Sequence, residues 1–234
     1  MAARGRDAVT SPLITALHLA DLADSDPDSI RAGAHHEARR YTGADLTERD
    51  LSGASFSECE FLTADVHETE LRGVQFSETR FVQLNAPVLR AARTTWRDVH
   101  IERSRLGAAE LFEADAQSVR VSGSKLTYVN LRSATLRDVE LSGCSIDELD
   151  LAYVRAERVR FESCTVRVLR LDHARLRHVD LRGLDLSGTI SGIDAMRGAT
   201  ISSGQAVALS AAFTRHLGIT VADEGSHIAD TLAE

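Results

Sequence analysis

Residues 44–61 read Ala44-Asp45-Leu46-Thr47-Glu48-Arg49-Asp50-Leu51-Ser52-Gly53-Ala54-Ser55-Phe56-Ser57-Glu58-Cys59-Glu60-Phe61, with a large apolar residue at every fifth position. The step continues from Leu46 through Val66, Trp96, Leu131 and Phe161 to Ile201, and of its 32 positions only Ser191 is polar. Two residues before each lies a second series, from Ala44 to Ala199. It is Ala, Val, Leu, Cys, Ser or Thr everywhere except Arg49 and Asp194. A repeat held over that span is the dominant signal of the chain.

A period of five suits neither regular structure. On a helix each step of five turns the large side chain by about 140°, scattering the apolar set around the axis. In a straight strand an odd step alternates faces. The chain must therefore turn a corner in every repeat. The two apolar positions flank a polar one, as in a short strand with both apolar side chains inward, and the next two residues bend the backbone. Glycines at the second of these, Gly53, Gly73, Gly123, Gly143 and Gly183, relieve the bend where φ is positive. The expected fold class is an all-β solenoid.

The pattern resembles the A(D/N)LxX motif of the pentapeptide-repeat family, as in Ala44-Asp45-Leu46, Ala64-Asp65-Val66 and Ala114-Asp115-Ala116. The resemblance covers residues 44–201 and implies a right-handed quadrilateral β-helix with four repeats per coil and about eight coils. At ~4.8 Å between paired strands the rod is roughly 38 Å long. Residues twenty apart then stack, so Phe56, Phe76 and Trp96 form one interior column and Phe61 and Phe81 another, while Phe112 and Phe213 fall outside the frame.

Open solenoid ends need covers. Ser202 and Gln205 make an S-x-x-Q capping box, followed at helical spacing by Leu209, Phe213 and Leu217 and by Gly218 as a stop. A capping helix is expected over residues 202–218, with a loose tail at 219–234. The segment from Gln205 to Gly218 resembles the C-terminal helix of the mycobacterial fluoroquinolone-resistance members of the family, which implies a homodimer through this helix as the alternative to simple capping. Residues 1–43 are read as an arm, with short helices over Leu13 to Ala23 and Ile30 to Arg40.

With 234 residues, 43% hydrophobic and 26% charged, the chain can bury a substantial core. No apolar run approaches the ~20 residues of a membrane span, and His18 and Asp21 interrupt the short apolar stretch near the N-terminus, so a cytoplasmic protein without membrane association is expected. Three widely spaced cysteines, Cys59, Cys144 and Cys164, suit neither a disulfide framework nor paired zinc ligands. Cys144 and Cys164, twenty apart, read as buried neighbouring thiols.

Net charge is −8, which argues against direct nucleic-acid binding, but the charge is polarised. Residues 44–80 carry nine acids against three arginines, and residues 151–183 eight arginines against four acids. Lys125 is the only lysine.

No phosphate loop, nucleophile elbow or HExxH motif is present, so no catalytic residue, cofactor or metal ligand is assigned. Paired histidines at His35-His36, and His173 and His178 on successive corners, read as surface polar residues. The candidate interaction surface comprises the acidic corners Glu48, Glu58, Glu68 and Glu78 and an outward column of Tyr153, His173 and Ile193 beside Phe112. The side holding Arg137, Arg155, Arg158, Arg175, Arg177 and Arg197 reads as a solvated face interleaved with Asp138 and Glu157, with an acidic partner as its alternative.

The leading functional reading is a non-catalytic protein-binding scaffold. The resemblance implies a sharper one, a DNA mimic that modulates DNA gyrase, opposed by the arginine-rich C-terminal coils. A ligand- or metal-binding protein or enzyme with a pocket beside the N-terminal segment is the rival class.

Overall fold

Each five-residue step sends its large side chain into one interior and turns the backbone by a quarter of a coil. In the computed structural model, which describes residues 9–222, the result is a β-solenoid of about nine turns. Every strand pair is parallel, and through most of the rod Cα partners lie twenty residues apart, as in Phe56↔Phe76↔Trp96 and Leu126↔Ile146↔Val166. One sheet of twelve strands wraps two sides, because strands such as Gln75–Val82, Thr95–Glu102 and Arg155–Glu162 bend around a corner. A seven-stranded sheet, including Asn85–Arg90 and Lys125–Asn130, forms the third side.

The fourth side is a column of tight turns. Ala54, Ala134, Val154 and Ala174 donate their N–H to the carbonyls of Leu51, Leu131, Leu151 and Leu171, at 3.1, 3.0, 3.1 and 2.8 Å. The third residue of each turn has positive φ, which a type II turn demands and glycine meets most cheaply. Down the column that residue is Gly53, Gly73, Arg93, Glu113, Ser133, Tyr153 and His173, with φ near 60° at the last two.

The predicted aromatic columns are present and longer than expected. Phe56, Phe76 and Trp96 stack at centroid distances of 5.4 and 4.6 Å, and Phe61 and Phe81 at 5.0 Å. His36 adds to the first column at 5.0 Å from Phe56, and Tyr41 to the second at 5.0 Å from Phe61. Beyond Trp96 the buried apolar core is mainly Ala, Val, Leu and Ile, joined by Cys144, Cys164 and Met196, and among the described residues Phe161 is its one buried aromatic.

The structure corrects the expected N-terminal helices. Residues Ile30 to Arg40 contribute strands His35–Glu37 and Arg39–Thr42, which pair with Ser55–Ser57 and Glu60–Leu62, so a further coil precedes the eight. Ile30 is fully buried and plugs the end beside the short 3-10 turn Pro27–Ser29. Arg49, out of place in its apolar column, has a reason to be there: its guanidinium donates to the Ile30 carbonyl at 2.6 Å and the Pro27 carbonyl at 3.1 Å.

Leu13 to Ala23 is likewise no helix but an extended strap along one corner of the rod. Leu13 N–H donates to Asp138 Oδ1 and Thr15 N–H to Ser118 Oγ, both at 2.9 Å, and His100 Nε2 donates to the Thr15 carbonyl at 3.2 Å. The strap ends at Ala23–Asp24, which pairs with Arg39 and Arg40. Pro12, Ile14, Leu17, Leu19 and Leu22 are half-buried, whereas Leu13 is 71% exposed.

The five-residue frame also slips once. Val168 pairs with Thr189 and Leu169 with Ile190, twenty-one residues on, before Val179 and Ala199 restore the step of twenty. Gly192 (φ 68°) allows the slip, since a Cβ there would strike the backbone of Leu171 and Asp172. Past the slip a capping box closes the rod: Gln205 N–H donates to Ser202 Oγ and Ser202 N–H to Gln205 Oε1. Gln205 Nε2 also donates to the carbonyls of Leu181 and Leu184, both at 2.7 Å, tying helical segments Ser203–Ala208 and Ser210–His216 to the last coil.

Candidate interaction surface

The four acidic corner residues fall on two diagonally opposite corners. Glu48 and Glu68 lie one above the other on one of them, Glu48 exposed and Glu68 half-buried with Arg90 at 3.7 Å. Glu58 and Glu78 lie on the other, the corner along which the strap runs. All four have positive φ, between 46° and 58°, so each projects from a bend. The charge of these coils is partly spent inside them: Arg80 bridges Glu60 and Glu102 at 3.3 and 2.8 Å, and Arg40 reaches Glu60 at 2.8 Å. Hydrogen bonding to Arg80 holds the Glu102 carboxyl below its ordinary range.

On the turn side Tyr153 is 51% exposed and stacks on His173 at 4.8 Å, with the Arg132 guanidinium 5.7 Å from the Tyr153 ring centre. Phe112 is half-buried on the same side. Ile193 does not continue the column. The slip carries it into the 3-10 turn Ile193–Met196, where it packs against the core.

Asp138 receives two hydrogen bonds from Arg158, at 2.6 and 2.7 Å, and one from the strap. Those bonds lower its carboxyl below the usual range. The thiols of Cys144 and Cys164 stack in the core as expected, free and buried, with Cys144 N–H directed at Cys164 Sγ at 3.4 Å. The neighbouring Cys164 thiol and burial push the Cys144 thiol up.

At the C-terminal end Leu209 is buried and Phe213 half-buried against the core, so these two cap the rod. Leu217 points away at 68% exposed, as do Val207, Ile219 and Val221. At the other end Ser25, Asp26, His35, His36, Arg39 and Glu58 line an open depression. Among the described residues no three His, Cys, Asp or Glu side chains converge as a metal would need, and no helix is long and apolar enough to cross a membrane.

This geometry defines a class, a right-handed quadrilateral β-solenoid that seals its interior with side chains and carries its polar chemistry outside. The family profile described as pentapeptide repeats (8 copies) matches residues 42–81 and 124–162, so the chain carries pentapeptide repeats. Among solved structures it is similar to a trypsin-treated form of QnrB1, a plasmid-mediated fluoroquinolone resistance protein, at 18% identity, covering 86% of this chain and 95% of that one with a TM-score of 0.39. It is also similar to HetL, a pentapeptide-repeat protein involved in heterocyst differentiation regulation from the cyanobacterium Nostoc sp. strain PCC 7120, at 19% identity, covering 76% and 94% with a TM-score of 0.19. No curated protein matches by sequence.

Proposed function

We propose that the chain is a non-catalytic protein-binding scaffold. One observation carries the reading: a single backbone frame is held by interior columns while the residues at its corners vary freely along the rod, from Glu48, Gly53 and Glu58 to Asp138, Tyr153, Arg158 and His173. A frame with free outer positions suits display of a surface. The test is affinity capture with the full chain and two variants, Glu48→Lys with Glu68→Lys, and Arg177→Glu with Arg197→Glu. A protein held by the wild type and lost with one variant but not the other is expected. Capture that both variants leave unchanged, or no capture, refutes the reading.

A second reading is a DNA mimic acting on gyrase, favoured by the acidic corners Glu48, Glu58, Glu68 and Glu78 standing on positive-φ bends. A bacterial gyrase supercoiling assay tests it. Inhibition that disappears when the four glutamates are reversed is the expected result for a mimic, and undiminished supercoiling at stoichiometric excess removes it. A homodimer through the outward face of Val207 and Leu217 fits either reading. Sedimentation equilibrium of the wild type and Leu217→Glu decides it, with a dimer converted to monomer as the expected outcome and a wild-type monomer as the refutation.

A further inference from the structure

Arg155 and Arg175 are Cα partners in adjacent coils and both side chains are exposed. Among the described residues neither has a carboxylate within ion-pair distance, so two like charges face each other at ~4.8 Å strand spacing without relief. The adjacent column meets the same problem differently. There Glu157 sits between Arg137 and Arg177, at 4.0 and 3.4 Å, and also holds Arg158 at 2.8 Å. Asp172, the next nearest acid along the chain, accepts a hydrogen bond from Ser191 Oγ at 2.7 Å. The acids around the arginine pair are thus already engaged.

Two residues before each of these arginines stand Tyr153 and His173, at the turn position where earlier coils use Gly53 and Gly73. Arg93, Glu113 and Ser133 hold the same position in the coils between, so what sets these two coils apart is a pair of stacked aromatic rings at the surface. The aromatic stack and the repelling arginine pair coincide in the same two coils, and the repulsion does not help the fold.

We propose that Arg155 and Arg175, flanked by the Tyr153–His173 stack, form a docking site for an acidic peptide segment of a protein partner, whose carboxylates bridge the two guanidinium groups. This rests on the scaffold reading and names a partner chemistry for it. Guanidinium forks match carboxylates, and an anion between the two arginines removes their repulsion. Single-stranded nucleic acid fits less well. It needs free aromatic faces for its bases, whereas one face of Tyr153 is taken by His173 and Arg132 lies over the ring.

The test is fluorescence anisotropy of the full chain with a labelled peptide of alternating Glu and Ser. Arg155→Thr with Arg175→Thr is expected to weaken binding about tenfold or more. Arg167→Thr, removing an exposed arginine on another side of the coil, is expected to leave binding unchanged. Thr95 and Thr135 already occupy the arginine column, so threonine suits the strand, and the double variant should melt at or above the wild-type temperature. Equal loss with Arg167→Thr, tighter binding of an oligothymidylate than of the peptide, or a lowered melting temperature in the double variant each overturns the proposal. Absence of peptide binding while affinity capture of a partner persists refutes this site and leaves the scaffold reading in place.

Discussion

The two halves of the rod share one backbone frame and fill it differently. From His36 to Trp96 the interior is a double ladder of rings, and the void left along it is about 20 Å³. From Trp96 to Leu181 side chains that are aliphatic apart from Trp96 and Phe161 line the same channel and leave about 120 Å³. Rings stack at nearly the coil spacing, 4.6 to 5.4 Å, Phe56 and Phe76 nearly flat and Trp96 tilted by 31° on Phe76, and they fill the axis. A leucine reaches less far toward the centre and has no plane to stack. Close packing is therefore not what keeps the frame in register. Strand pairing and inward alternation suffice, and the packing quality adds stability on top of them.

Changes at the junction test that separation most strongly. Trp96 stacks on Phe76 and donates from Nε1 to Thr94 Oγ1 at 2.7 Å. Trp96→Ala is expected to cost about 3 to 5 kcal/mol and to lower the denaturant midpoint accordingly, with the parallel-strand circular dichroism retained. A loss below about 1 kcal/mol would show that the ladder carries little of the stability. The converse is smaller. Ala116 stands directly over Trp96 and lines the larger void. Ala116→Leu is expected to raise stability by about 1 kcal/mol, within the usual gain from filling a cavity. Destabilisation instead would mean that the void is too narrow at that level for a leucine rotamer.

The same contrast explains what the sequence could and could not disclose. The frame from Leu46 onward was legible because one apolar residue in five survives any local chemistry. The first coil was not, because its inward positions are His36 and Tyr41 and its outer ones Arg31 and Arg39, which break the apolar series and leave a pattern that a helix also fits. The strap was hidden for a different reason: it is held by its backbone N–H groups on side chains 103 and 125 residues away, which no local pattern records. Of the candidate surface, Tyr153 and His173 were found by their spacing of twenty. Ile193 was misplaced by the same rule, since Thr189-Ile190-Ser191 offers an inward residue in either register and the glycines on both sides let the chain take the shifted one.

The smallest expected effect concerns the histidine that starts the aromatic ladder. His36 Nδ1 accepts a hydrogen bond from Tyr41 Oη at 2.9 Å, its ring stacks on Phe56, and its Nε2 is buried without a partner. Burial, with His35 and Arg39 nearby, lowers its pKa below the ordinary histidine value. The unfolded chain therefore takes up the proton first as pH falls, so the neutral ring's contribution is full above about pH 6.5 and declines as pH drops toward the folded value. Its slope is at most about 1.4 kcal/mol per pH unit. Urea midpoints compared at about pH 7.5 and about pH 5.5 should fall for the wild type and fall less for His36→Phe. His100, which burial also lowers, keeps part of the slope in that variant. An unchanged slope would place the titrating group elsewhere and remove His36 as the point where the packed half of the rod answers to acid.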